Sequence, residues 1–410
     1  MSAFSQTLGT ALPLAVAYLR DRLLATLLNI VLLALGIATV VALLLTLSQA
    51  EERMDRDAAS IDLVVGAKGS PLQLILSSVF QVDVPTGNIP KQEADKIAAE
   101  HAVKRAVPLA LGDSFRAYRI VGTTPAYLEL YGTSIERGRT WAKPLEALIG
   151  ADVAMRTGLR LGERFAGTHG LAEGGGAHAN APFEVVGVLK PTGAVVDRLI
   201  LTSLESIWQM HAHEESKSPA VAHDSNAADE KEITALLIQY AGPLAAATFP
   251  RHVNSVSGLQ AASPAMETAR LFALLGFGVT ALKLFAAIMM ICAGLGIFIG
   301  LMNALDERRA DLALLRVLGA SRGIVFATIL AQGAVLGVAG VILGMLLGHA
   351  GAEWIGRSIA DAHRVSLTGW TWIAVEWWVI GAALALAVIA GLFPAWRAYR
   401  DAVPELVGRA

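Results

Sequence analysis

The sequence predicts a membrane protein: four transmembrane α-helices, with a large α+β domain inserted between the first and the second. Three observations predict it. The 410 residues are 54% hydrophobic and only 17% charged, with a mean hydropathy of +0.54, against about 25% charged in an average soluble domain. The charges are unevenly placed, leaving four long stretches without Asp, Glu, Lys or Arg. Between the first two of these stretches lies a segment of ordinary globular composition, residues 51–262.

Composition also excludes. A net charge of −2 leaves no surplus of Lys and Arg to neutralise phosphates, so the chain is not a basic nucleic-acid binder. Cys292 is the only cysteine, which removes internal disulfides and cysteine-based zinc sites.

Residues 1–50 read as a cytoplasmic segment and the first span. Leu23 to Ala50 carries no charge, and roughly 20 apolar residues suffice to cross the ~30 Å hydrocarbon core. The run is far longer than the apolar part of a signal peptide, and no small-residue cleavage site follows it, so it reads as a retained anchor. The alternative, buried core helices of a large soluble protein, fits poorly with charge-free runs of this length.

Residues 51–262 show short β-like runs bounded by turn residues: Ile61 to Val65, Phe115 to Val121, Phe183 to Leu189 and Leu199 to Thr202. Lys91 to His101 and Leu204 to Met210 have helical spacing. This predicts an α+β domain able to bury its own core. Two stretches read as loops, Gly167 to Pro182 and His211 to Lys231, and together they hold His169, His178, His211, His213 and His223. Neutral imidazole is a common metal ligand, which makes His211, His213 and His223 candidate zinc ligands. A solvated low-complexity loop explains them equally, because no spacing here fixes a tetrahedral site.

Residues 263–305 read as a stalk and the second span. Ser263-Pro264 is a helix start, a hydroxyl N-cap followed by proline in the first turn. A helix running unbroken to about Leu305 would be ~60 Å long, twice the hydrocarbon thickness, with the part through Lys283 standing outside. The alternative is a break near Gly276 or Gly278. The uncharged part of the span is Leu284 to Leu305.

Residues 306–322 form a short loop, and 323–410 hold the third and fourth spans, Gly323 to Ala352 and Trp377 to Trp396, with a tail. Arg20, Arg22, Arg308, Arg309, Arg316, Arg322, Arg397, Arg400 and Arg409 lie on one side, against Arg357 and Arg364 on the other. Positive charge marks the cytoplasmic side, which predicts both termini and the 306–322 loop inside and residues 51–262 outside. Trp370, Trp372, Trp377 and Trp378 cluster at the outer end of the fourth span, where an aromatic belt belongs. Gly296-x-x-x-Gly300 and Gly340-x-x-x-Gly344-x-x-x-Gly348 read as close-approach packing positions.

Several chemistries are missing. Lys217 alone among the lysines precedes a Ser or Thr, with no glycine ahead of it, so there is no phosphate-binding Gly-x-x-x-x-Gly-Lys-Ser/Thr loop. His-Glu-x-x-His does not occur. Inside the membrane runs there is no Asp, Glu, Lys or Arg apart from Lys283 and Glu376 at the outer margins, which argues against an ion-coupled secondary transporter. The chain is expected to be no enzyme by itself and to draw its energy from a partner.

In the loop, Leu305, Leu312, Leu315 and Leu318 share one face at helical spacing, Glu307, Arg308, Asp311 and Arg322 are the polar remainder, and Gly319 suits a C-cap. Such a helix either lies on the bilayer or docks a soluble partner.

Here the chain resembles the MacB/FtsX-type ABC permeases. Glu307-Arg308-Arg309-x-Asp311-Leu312-Ala313-Leu314-Leu315-Arg316-Val317-Leu318-Gly319-Ala320 is similar to that family's second-loop motif, with Asp311 in place of the usual Glu and Ala313 in place of the usual Gly. Pro394-Ala-Trp-Arg-Ala398 and Pro404-Glu-Leu-Val407 resemble its C-terminal signature. Val121-Gly-Thr-Thr-Pro-Ala-Tyr127, Glu136-Arg-Gly-Arg139, Ile149-Gly-Ala-Asp-Val-Ala154 and Phe183 to Thr202 resemble its periplasmic core domain. The His-rich stretches fall outside the pattern.

The resemblance implies a permease subunit of an inner-membrane ABC system, paired with a second permease copy. Each copy would hold one cytoplasmic ATPase, which binds ATP and Mg, through Glu307, Arg308, Arg309, Asp311, Leu312, Leu315, Arg316 and Gly319. ATP hydrolysis would then move the periplasmic domain through the second span. Three uses of that motion stay open: extraction or export of periplasmic or membrane cargo, control of a periplasmic enzyme partner, and zinc handling through the His-rich loops.

Overall fold

The computed structural model describes residues 2–169, 181–215, 231–256, 258–307, 314, 317, 321–363 and 367–400; for 2–10, 169, 211–215 and 359–363 it describes the backbone alone. The chain divides into two compact units, Ala50–Leu275 with Ala362–Arg364, and Met1–Gln49 with Gly276–Asp361 and Val365–Ala410.

In chain order the elements are α1 (Ser2–Arg20), α2 (Leu23–Ala58), β1 (Leu63–Ala67), α3 (Pro71–Ser78), β2 (Ile89–Pro90), α4 (Lys91–Ala98), β3 (Val103–Phe115), β4 (Tyr118–Thr123), α5 (Ala126–Leu130), β5 (Ile135–Gly138), β6 (Glu146–Ile149), α6 (Ala151–Thr157), β7 (Arg164–Phe165), β8 (Thr168–His169), β9 (Phe183–Leu189), β10 (Ile200–Ser203), α7 (Leu204–Glu215), β11 (Glu232–Ile233), β12 (Ala235–Tyr240), α8 (Pro243–Ser255), β13 (Leu259–Ala262), α9 (Pro264–Glu307), α10 (Arg322–His363) and α11 (Glu376–Arg400).

The inserted domain is built on one mixed sheet in the order β13-β1-β12-β3-β4-β10-β6-β9-β5. Two pairings are parallel, β10 with β4 and β6 with β9; the others along this path are antiparallel. Successive strand residues face opposite sides, and both sides are covered. Leu63, Val65, Ile120, Ile200, Leu236 and Ile238 enter one buried cluster. Their neighbours Val64, Val121, Leu199, Leu201 and Leu237 enter the other. Short continuous apolar runs, rather than alternating ones, are what a sheet buried on both faces requires.

Three expectations need correction. Phe115 to Val121 is the tip of a hairpin rather than one strand: β3 ends at Phe115 and β4 starts at Tyr118. Arg116 and Ala117 between them have φ of 48° and 65°, the left-handed pair that a tight two-residue turn demands, here without glycine. The stretch expected to be a loop from Gly167 contains β8, which pairs with β3 at Asp113 and Ser114. The loop expected from His211 begins later, because α7 continues through Glu215; nothing in His-Ala-His-Glu-Glu breaks a helix. The segment before the first span holds the helix α1, in which Ala11 and Ala15 are buried.

Among the described residues, four helices are long and apolar enough to cross a membrane: α2, α9, Arg322–Ser358 of α10, and α11. The helix α2 continues two turns past its apolar run to Ala58. The helix α9 is unbroken through Gly276 and Gly278 and counts 44 residues, about 66 Å at 1.5 Å per residue. Glycine costs only about 1 kcal/mol in a helix interior, too little to interrupt so long an apolar run.

Candidate functional site

The loop expected to meet a soluble partner joins α9 to α10. Glu307 closes α9, and Ser321 opens α10 by accepting the Ile324 N–H on its hydroxyl at 3.3 Å. Leu314 and Val317 have helical backbone and are 60% and 70% exposed, two apolar side chains three residues apart on one face. Arg308, Arg309, Asp311, Leu312, Leu315, Arg316 and Gly319 lie outside the described residues. The structure adds partners that sequence reasoning had counted only as orientation charges. Glu307 forms an ion pair with Arg22, and Asp306 with Arg397 at 3.5 Å. Thus the acidic pair at the end of α9 is tied to the start of α2 and the end of α11.

The glycines of the spans sit where helices approach closely. A methyl group at Gly340, Gly344 or Gly348 of α10 would lie 2.6–2.8 Å from Leu33, Ile37 or Val41 of α2, closer than carbon atoms pack. On α9, Gly296 and Gly300 face Asn29 of α2. Lipid supplies no hydrophobic force between helices, so small residues that bring backbones together are what hold the bundle.

At the tryptophan-bearing end, Trp370, Trp372, Trp377 and Trp378 are all exposed. Beside them a pair emerges that sequence reasoning missed. His349 of α10 places Nε2 3.2 Å from a carboxylate oxygen of Glu376, which is fully buried. His349 lies inside the third uncharged stretch and escaped a search restricted to Asp, Glu, Lys and Arg.

In the inserted domain, Asp57 and Arg198 are 2% and 7% exposed and pair at 3.1 Å. The Tyr131 hydroxyl donates to the Asp57 carbonyl at 3.0 Å, so the tail of α2 is fastened by side chain and backbone together. Arg119 is also buried and donates to the carbonyls of Ser77 and Asp83; burial lowers its guanidinium to about 10. On the surface Arg139 grips Glu146 with both terminal nitrogens, at 2.5 and 2.7 Å. That grip, with the Ala142 N–H, holds the Glu146 carboxyl down at about 2. A groove of about 590 Å³ lies between β5 and α6, lined among others by Arg137, Met155, Arg160 and Leu161.

For metal, His211 and His213 ride on α7 as backbone only, and His223 lies outside the described residues. Among the described residues no group of three or more His, Cys, Asp or Glu is disposed to hold an ion.

Comparison with known proteins now becomes interpretable. Residues 26–240, more than half of the chain, match the MacB-like periplasmic core domain, and residues 283–403 match the FtsX-like permease C-terminal domain. The periplasmic region of MacB from Actinobacillus actinomycetemcomitans is similar at 10% identity and a TM-score of 0.34, over 53% of this chain and 95% of that one. The extracellular domain of the noncanonic ABC-type transporter YknZ from Gram-positive bacteria is similar at 13% identity and a TM-score of 0.30, over 49% and 98%. No curated protein matches the chain. A four-helix membrane unit interrupted by this sheet domain, with both family matches in sequence order, makes the chain a member of the MacB/FtsX-type family of ABC-transporter permeases.

Proposed function

We propose that the chain converts ATP hydrolysis by a separate cytoplasmic ATPase into motion of its periplasmic domain, and that it works as a homodimer with one ATPase, loaded with ATP and Mg, per copy. The ATPase docks on residues 306–322, through the apolar face of the loop helix and its flanking charges. Both termini and that loop face the cytoplasm, in line with the arginine asymmetry. The moved domain extracts or exports cargo from the periplasm or the outer face of the membrane.

One observation carries this reading. The helix α9 starts one residue after the last strand of the sheet and runs without interruption to the acidic pair that opens the docking loop. A continuous helix is the stiffest element available for passing displacement between covalently joined parts. The ion pairs of Asp306 and Glu307 with Arg397 and Arg22 mean that a push on the loop is shared by three of the spans.

A flexible Gly-Ser insert between Gly276 and Phe277 tests it. Phe277 is 85% exposed, so the insert disturbs little packing. In the reconstituted permease–ATPase complex, ATP should change the distance between spin labels on the two periplasmic domains of the native dimer. With the insert, that change should vanish while ATP turnover persists. An undiminished change would overturn the reading.

A further inference from the structure

We propose that His349 and Glu376 form a binding site for a single proton, which latches the tryptophan-bearing ends of α10 and α11 together. Both ring nitrogens of His349 are committed. Nδ1 lies 2.5 Å from the carbonyl oxygen of Gly369. A carbonyl only accepts, so Nδ1 carries a hydrogen. Nε2 then faces Oε2 of Glu376 at 3.2 Å, and that contact holds only if one further proton lies between them. An imidazolium facing a carboxylate and a neutral ring facing a carboxylic acid have the same count: one proton shared by two groups. Without it, two lone pairs meet where the Glu376 side chain is 0% and the His349 side chain 13% exposed. Buried acceptors left facing each other are costly, so losing the proton opens the contact.

The latch closes more than one bond. The other Glu376 oxygen accepts the Ile373 N–H at 3.2 Å. Trp372 stacks on the His349 ring at 5.7 Å. Gly369 sits so close to α10 that a methyl group there would collide with the His349 carbonyl and with Glu353. Gln49 of α2 donates to the Thr368 carbonyl at 2.7 Å and accepts the Thr368 N–H at 3.0 Å. Residues 367–376 are therefore stitched to α2, α10 and α11 at once.

Among the described residues, the charged neighbour on the same elements is already paired. On α10, Glu353 accepts from Arg357 at 2.9 Å and from the Gly369 N–H at 2.9 Å, so its charge is already compensated. Among the described residues the loop contributes neutral Thr368, Thr371 and Trp372 and α2 contributes Gln49, while Leu45 of α2 and Met290 and Ala293 of α9 belong to the apolar cluster that also takes in Met345, Ala352 and Ile373. Acid thus closes this end of the bundle and alkali loosens it, independently of any ATPase.

Hydrogen exchange of residues 367–378 in the full-length chain, in lipid nanodiscs, tests the site. After correction for intrinsic pH dependence, protection should fall by at least about tenfold in one single-proton step as the pH is raised. Glu376→Gln supplies a permanent amide hydrogen to Nε2, so its protection should stay high throughout. His349→Ala should be poorly protected at every pH. Glu353→Gln should lower protection overall and keep the step, because it breaks a different clamp on the same loop. Constant protection in the wild-type chain, or a step that survives in Glu376→Gln, overturns the proposal.

Discussion

The periplasmic domain and the membrane bundle solve the same packing problem by opposite means. The domain buries large side chains on both faces of its sheet, with Leu148, Ile120 and Phe183 fully enclosed. The bundle instead exposes large apolar side chains, such as Leu346 and Ile342 on α10, and turns Gly340, Gly344 and Gly348 toward α2. Water drives apolar groups inward and lipid does not. The arginine pairs differ too: Asp57–Arg198 is buried in the domain, whereas Arg22–Glu307 and Arg397–Asp306 are partly exposed at the helix ends of the membrane unit, whose buried pair is His349–Glu376.

The contrast can be broken at its strongest points first. Arg198→Ala leaves Asp57 buried without its partner and should cost the domain about 3–5 kcal/mol, read as a lowered urea midpoint in the full chain; a loss below about 1 kcal/mol would mean the site readily takes up water. Leu148→Ala should cost about 2–5 kcal/mol, while Leu346→Ala on the lipid face should stay within about 0.5 kcal/mol. Equal effects would erase the distinction between the two cores. Gly344→Leu forces α10 away from Ile37 and should destabilise the bundle by about 1–3 kcal/mol, seen as faster unfolding in detergent with the domain unaffected.

The smallest effect is one that acid removes. Glu146 is held at about 2, below its unfolded value. Its contribution to stability is therefore complete above the ordinary carboxylate range and is lost as the pH falls toward 2. Glu146→Gln should therefore lower the domain's stability modestly at neutral pH and converge with the native chain as the pH falls toward 2, flattening the acid limb; an unaltered acid limb would show that the Arg139 grip contributes nothing.

Lipid made half of this legible from sequence. A span must be a long uncharged run, so Leu23 to Ala50 and its three counterparts stand out, and Ser263-Pro264 marks where α9 starts. Less visible were features that depend on chain return. The hairpin at Arg116-Ala117 uses left-handed residues without the glycine that advertises such turns. Asp57 meets Arg198 across 141 positions, and no local pattern announces it. His349 meets Glu376 only because the chain between them folds back onto α10, and a neutral-looking histidine in an apolar run reads as filler until its two ring nitrogens are located. At the 306–322 loop the helical spacing and the family motif were readable, whereas the tethers of Asp306 and Glu307 to Arg397 and Arg22 were not.

The central claim is that energy enters through residues 306–322. ATP hydrolysis by the partner ATPase, measured with and without the permease in proteoliposomes, tests it most directly. The native chain should stimulate turnover, and Leu315→Asp or Arg316→Glu should abolish that stimulation while membrane insertion stays intact. Full stimulation by both inserted variants would contradict the account.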